Sequence, residues 1–181
     1  MMQLISIFVI AIGLSMDAFS LAILYGTLNF NRRKTILLSF FVGVFHFFMP
    51  LFGNLLGIML LSILPVTTNI VVGIIFFVIS TQMFLSIFKD EEIIDLKGIL
   101  AIIFFAFTVS IDSFSVGIGL NAICNKKIIA VTIFSVISSI FTFMGLSIGS
   151  KLTEKFGKVS TIIGIIVLFV MSFFYLFFYN G

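Results

Sequence analysis

Ser15-Met16-Asp17-Ala18-Phe19-Ser20 lies inside a long apolar run, and 95 positions later Ser110-Ile111-Asp112-Ser113-Phe114-Ser115 repeats the phrase inside another. Across windows 14–23 and 109–118, five positions are identical. An acid carried to hydrocarbon depth costs ~2.5–3.5 kcal/mol on insertion scales, which makes each copy a functional position by default. Finding one in each half of the chain gives that function a symmetry.

The surroundings set the fold class. The 181 residues are 61% hydrophobic and 9% charged, with mean hydropathy +1.37, far from the composition of a soluble domain. Charge is gathered at Arg32-Arg33-Lys34, Lys89 to Lys97, Lys126-Lys127 and Lys151 to Lys158. The apolar runs between these clusters are long enough to cross ~30 Å of hydrocarbon at ~1.5 Å per residue. They lack strand alternation, and a backbone in lipid must satisfy its own hydrogen bonds, so they read as helices. Six spans are predicted, near 2–24, 35–63, 70–88, 98–121, 128–150 and 159–179. The expectation is an all-α membrane protein with one transmembrane domain over 1–181. The first span has no basic leader and contains Asp17, so it reads as a retained helix rather than a cleaved signal.

The net charge of +3 needs no nucleic-acid partner, because basic residues flank membrane spans routinely. Loops after spans one, three and five carry eight of the ten lysines and arginines. The positive-inside rule then places both termini outside the cytoplasmic membrane and the loop around Asp90-Glu91-Glu92 in the cytoplasm. Tyr25, Tyr175 and Tyr179 fall near span ends, where interfacial aromatics are expected. Cys124 is the only cysteine, which excludes an internal disulfide and a cysteine metal cage. Gly145 to Lys151 is not a phosphate-binding loop, because Ser150 breaks the required Gly-Lys pair. No ATP site is therefore expected on this chain, nor any enzyme constellation.

Six spans divide into three and three at the loop near 89–97, giving repeats of about 1–88 and 98–181. An odd number of spans per unit inserts the second unit upside down. That is the inverted-repeat plan of many secondary transporters, whose site lies near the midplane between the halves. Helical spacing then defines the faces. Gly13, Asp17 and Ser20 share one; Thr108, Asp112, Ser115 and Gly119 share another. Helix two presents Ser39, Gly43, His46, Pro50, Gly53 and Gly57; helix five presents Ser135, Ser138, Thr142, Gly145 and Gly149. The small residues suit close helix packing. His46, the sole histidine, reads either as a hydrogen-bonded core residue or as a ligand. Gln82 and Ser86 on helix three are equally ambiguous.

All basic side chains fall in loops or at span ends. Two carboxylates without a cationic partner either take up protons or hold a positive ion, because desolvation and repulsion penalise the bare charged pair. Oxygen donors suit magnesium, manganese or calcium, and a nitrogen from His46 would tilt the choice toward manganese, iron or zinc. The candidate ion ligands are Asp17, Asp112, Ser20, Thr108, Ser115 and His46, with the metal as transported cargo rather than a resident cofactor. Alternatives are export of small amino compounds, and a structural protein whose aspartates glue helices together.

At these residues the chain resembles the bacterial manganese efflux pump family. The matching stretches are Gly13 to Phe19, Thr108 to Gly117, Phe45-His46-Phe47-Phe48-Met49-Pro50-Leu51-Phe52-Gly53, and Gly145 with Gly149. The resemblance implies a small six-helix inner-membrane exporter of Mn2+ or a similar divalent cation. It also supplies the outward direction, which no residue here sets. Where relatives usually carry Gln or Glu in helix two, this chain has His46. Near the end of helix three, Gln82 and Ser86 stand where a basic residue and Glu are usual. The family includes a sporulation-associated branch, which the second motif resembles somewhat.

Overall fold

A computed structural model of the chain describes residues 2–63, 67–88, 96, 98–149, 151 and 154–178. Asp90-Glu91-Glu92 and nearly all of the loop near 89–97 lie outside them. The described residues form helices α1 (Met2–Gly26), α2 (Arg32–Ile63), α3 (Thr68–Ser86), α4 (Gly98–Val109), α5 (Ile111–Ile118), α6 (Leu120–Ile123), α7 (Lys127–Ile148) and α8 (Glu154–Phe177). Six stretches among them are long and apolar enough to cross a membrane, with α4 and α5 together making one. The chain is an all-α, multi-pass membrane protein. Helix two begins earlier than its apolar run because Asn31 caps it: the Asn31 Oδ1 accepts the Lys34 N–H at 2.9 Å, as asparagine does at helix starts. Arg32 to Lys34 therefore form its first turn.

The fourth span is not continuous. It breaks at Ser110 (φ −98°, ψ 2°) and again at Gly119 (φ −88°, ψ 3°). Around Ser110 the ladder tightens, with Ser110 N–H donating to Phe107 O at 3.1 Å and Ser113 N–H to Ser110 O at 3.2 Å. The serines supply the cause. Ser110 Oγ donates to Ala106 O at 2.8 Å and Ser113 Oγ to Ser110 O at 2.6 Å, and such side-chain bonds compete with the helix. The equivalent stretch of α1 has Ala18 in place of Ser113, and α1 runs through unbroken.

The helices join in a closed order. α1 packs on α7 and α8, α7 on α2, α2 on α4 and α5, and α3 on both α5 and α8. Their contacts fix direction: Ser15 meets Ser138 and Ala22 meets Gly145, so α1 and α7 run parallel. His46 meets Ser110 and Gly57 meets Ile118, so α2 runs parallel to the fourth span. Ser139 Oγ donates to Ser39 O at 2.9 Å while Gly43 faces Ser135 and Ser139, so α2 and α7 are antiparallel. These directions are those of six successive passes.

Glycine makes the parallel pairs possible. Gly53 and Gly57 lie against the backbone carbonyls of Phe114 and Ile118, and Gly145 and Gly149 against those of Phe19 and Ile23. A side chain at any of the four would meet rigid main chain, which is why small residues mark membrane helix contacts. Tyr25 and Tyr175 fall near helix ends as expected, but their side chains pack inside the bundle. Both are buried, Tyr25 against Phe105 and Tyr175 against Phe76. Tyr179 lies outside the described residues.

Gly53→Val and Gly145→Val are each expected to lower the thermal unfolding midpoint of the detergent-purified protein. Over-packing costs ~1–3 kcal/mol in a well-filled core, more where the neighbour is main chain. Ile36→Val, at a 51% exposed position, should leave the midpoint unchanged. Cys124 is buried at the end of α6, and burial pushes its thiol up against the opposing pull of the Lys126 backbone hydrogen bond and Lys127 charge. Since the thiolate is the nucleophile, maleimide labelling at pH 7.5 should run at no more than about a tenth of the rate seen after denaturation.

A polar seam between two apolar clusters

The buried apolar side chains form two clusters rather than one. The first holds Leu14 and its N-terminal neighbours on α1, Val116 to Cys124, Phe134 and its neighbours on α7, and the inward faces of α3 and α8. The second holds Ala18 to Tyr25, Leu38, Val42, Ile102 to Val109, and Leu146. Each long helix that contributes to both crosses from one to the other at its polar residues: Ser15 to Asp17, His46, Ser110 to Ser115, and Ser138 to Thr142. The boundary is a polar seam running across the bundle. Both aspartates lie in it by position.

Serines carry the cross-links of this seam. Ser15 Oγ and Ser138 Oγ share a hydrogen bond of 2.8 Å, both fully buried. Ser110 Oγ lies 2.8 Å from His46 Nδ1, and the same nitrogen lies 2.9 Å from Val42 O. A carbonyl only accepts, so Nδ1 carries the imidazole proton and donates toward Val42 O and Ser110 Oγ, while Ser110 spends its own proton on Ala106 O. His46 Nε2 is then a bare acceptor, buried and with no hydrogen-bond partner among the described residues. The core and ligand readings of His46 thus divide between its two nitrogens.

Asp17 is half-buried, and its helical neighbours show where it points. Gly13 packs on Val167 and Leu168, and Ser20 Oγ lies beside Gly157. Both contacts are with α8, so Asp17, between them on one face, looks toward α8 as well. The wall it meets is polar. Ser160 Oγ donates to Gly157 O at 2.9 Å and approaches Met16 O at 3.4 Å, and Thr161 Oγ1 donates to Gly157 O at 3.2 Å. Both residues are buried, and sequence reasoning did not single them out. Their three-residue spacing from Gly157 and Gly164 is the signal that was available. Asp112, half-buried in the first turn of α5, shares its face with Gly119, which packs on Val72 of α3. Asp17 thus lies on the side of α1 that faces α8, and Asp112 in the first turn of α5, a helix packed on α2 and α3.

Not every expected ligand reaches it. Thr108 is exposed and donates its hydroxyl to Phe104 O at 2.9 Å. It stands in an outward stripe with Leu100, Phe104, Phe107 and Ile111. The stripe carries on past Ser110 to Ile111, so the exposed face of the fourth span takes Thr108 and leaves Asp112 at its half-buried edge. Ser115 is half-buried. Gln82 is exposed, and Ser86 donates to Met83 O at 2.8 Å. Among the described residues, no three of His, Cys, Asp and Glu converge as a metal cage. Any cation here would complete its shell with hydroxyls, carbonyls or water, which suits a hard oxygen-seeking ion.

A helical, multi-pass membrane protein with carboxylates in a buried polar seam is of the transporter class. The family described as "Putative manganese efflux pump" matches residues 29–176, and the chain belongs to it. Proteins of the same name are similar over nearly their whole length. That of Bacillus pumilus is 32% identical over 92% of this chain and 91% of its own. That of Bacillus mycoides is 33% identical over 92% of each, and that of Geobacillus thermodenitrificans 31% over 94% and 93%. No solved structure matches the chain.

The serine cross-link is open to a double-mutant cycle. Ser15→Ala and Ser138→Ala, measured singly and together by unfolding in detergent, should give a coupling of about 0.6 kcal/mol, the usual size for hydrogen bonds between membrane helices. A coupling of zero would mean the two hydroxyls do not bond in the folded protein.

Proposed function

We propose that this chain exports Mn2+ or a similar divalent cation from the cytoplasm, exchanging it for protons at Asp17 and Asp112. Family membership supports the class of cargo. The observation that carries the residue assignment is the position of both acids in the polar seam between the two apolar clusters. Ser20 and Ser115 would contribute oxygen ligands, and Ser160 and Thr161 are added here as the α8 wall of the Asp17 half. His46 Nε2 is a further available donor. Thr108 is left out.

The exchange follows from charge. A divalent ion cancels two carboxylates, and two protons do the same, so the site has two neutral states and the seam need never carry bare charge. An inverted relation between the halves would present that site to either side in turn. Two contacts support such a relation. Ala22 meets Gly145 and Gly117 meets Pro50, and the offset of 95 that links the aspartate motifs converts one pair into the other. The cytoplasmic membrane and outward-facing termini remain those given by the basic loops.

The structural reading makes a different forecast. Interhelical hydrogen bonds in the seam join Ser15 to Ser138 and Ser110 to His46, and an aspartate that added only a further link of this kind would, when replaced, cost stability and not transport. Cells lacking their own manganese exporter provide the test. Expressing the chain should lower intracellular Mn under manganese stress, with Zn, Fe and Cd measured alongside. Asp17→Asn and Asp112→Asn, made separately, should each abolish the effect at unchanged membrane abundance. If both variants keep full export the proposal fails; loss of abundance in both with export per molecule intact would restore the glue reading.

A further inference from the structure

A cavity of about 440 Å³ opens where α1 ends and α2 begins. Its polar lining is Asn29, Arg32, Thr35 and Ser147, and Phe30 and Phe143 form apolar walls. Lys34 holds its ammonium 3.9 Å over the Phe30 ring, which places a second cation beside the opening. Among the described residues no carboxylate lines it. A metal cation would be repelled from such a place; an anion with several acceptor oxygens would not.

The surroundings select the kind of anion. The cavity lies at the ends of α1, α2 and α7, where the helices leave hydrocarbon. From it, an exposed apolar track continues into the membrane zone along Ile36 and Phe40 of α2 and Phe143 and Met144 of α7. We infer that this cavity binds the phosphate headgroup of an anionic phospholipid, with Arg32 as the principal contact and the acyl chains lying along the α2–α7 track. A guanidinium forks onto two phosphate oxygens, and Asn29, Thr35 and Ser147 offer further polar contacts. Three helices meet at the cavity, and Gly26 there packs on the carbonyl of Leu146. A bound lipid would therefore span the α1–α7 and α2–α7 contacts at once. This inference does not depend on the transport reading.

Native mass spectrometry of the full chain in a neutral detergent tests it, with phosphatidylglycerol, phosphatidylcholine and soluble glycerol 3-phosphate as probes. Phosphatidylglycerol should be retained about fivefold better than phosphatidylcholine, the preference one basic contact of ~1 kcal/mol gives. Arg32→Gln should erase that preference. Ser147→Phe, which fills the cavity without touching charge, should erase it too. Lys151→Gln, a basic residue at the same end but outside the lining, should keep it. The inference is overturned if Arg32→Gln and Ser147→Phe both retain the preference, or if the two lipids bind alike in the unaltered protein. Displacement of phosphatidylglycerol by glycerol 3-phosphate at equal concentration would also overturn it, since the site would then recognise free phosphate.

Discussion

Hydrocarbon offers no partner to a polar group, and this bundle is arranged around that shortage. Most of its buried and half-buried hydroxyls answer it in two ways, bonding their own helix or reaching a neighbour, while Thr142 Oγ1 is buried with no partner among the described residues. Ser39, Ser80 and Ser113 take the first course. Ser15, Ser138, Ser139 and Ser172 take the second, and each ties two helices together. Ser110 takes both, because its oxygen accepts from His46 while its proton goes to Ala106. The aspartates add a further demand, because a hydroxyl alone cannot neutralise a charge.

The two copies of the motif have been put to different mechanical use. In α1 the helix passes through Asp17 without interruption, and its glycine-dependent contact with α7 follows directly after. In the fourth span the extra serine at 113 draws a carbonyl away from the ladder, and α5 starts afresh at Ile111, with Asp112 in its first turn. The positive end of a helix offsets part of the cost of holding a negative group there. One half is thus a rigid rod and the other a jointed one. Discontinuous helices recur at ion sites in transporters because a joint can be re-aimed without moving the whole span.

Much of this was legible beforehand, and the failures share a cause. The spans were readable to within a few residues, since length and apolarity alone decide them. The stripe from Ser39 to Gly57 on α2 was readable because every member is buried at helical spacing. Thr108 falls within a turn of Asp112 on an ideal helix, yet it stands in the exposed stripe with Phe104, Phe107 and Ile111, because spacing alone does not show how far a face turns toward the core. Tyr25 and Tyr175 were assigned to the interface by position, yet aromatic packing inside the bundle claimed both. Ser160 and Thr161 escaped notice because the local spacing from Gly157 and Gly164 does not name a partner; the register of α8 against α1, where those glycines meet Ser20 and Gly13, does. Periodicity reveals which side of a helix is polar, but not which partner that side meets.

The seam also bears on how tightly a cargo should be held. A structural metal site gathers three or four strong ligands and keeps its ion; a transport site must let go. Here the described residues offer two carboxylates on different helix pairs, flanked by hydroxyls, with one imidazole nitrogen whose tautomer leaves it free to accept. Such a set provides charge compensation with little ligand-field demand, favouring an ion that tolerates varied oxygen geometry and partial hydration. Manganese fits that description better than an ion that requires a closed thiolate or imidazole cage. In the proposed exchange, weak and distributed ligation is what would let protons release the ion by outcompeting two carboxylate contacts.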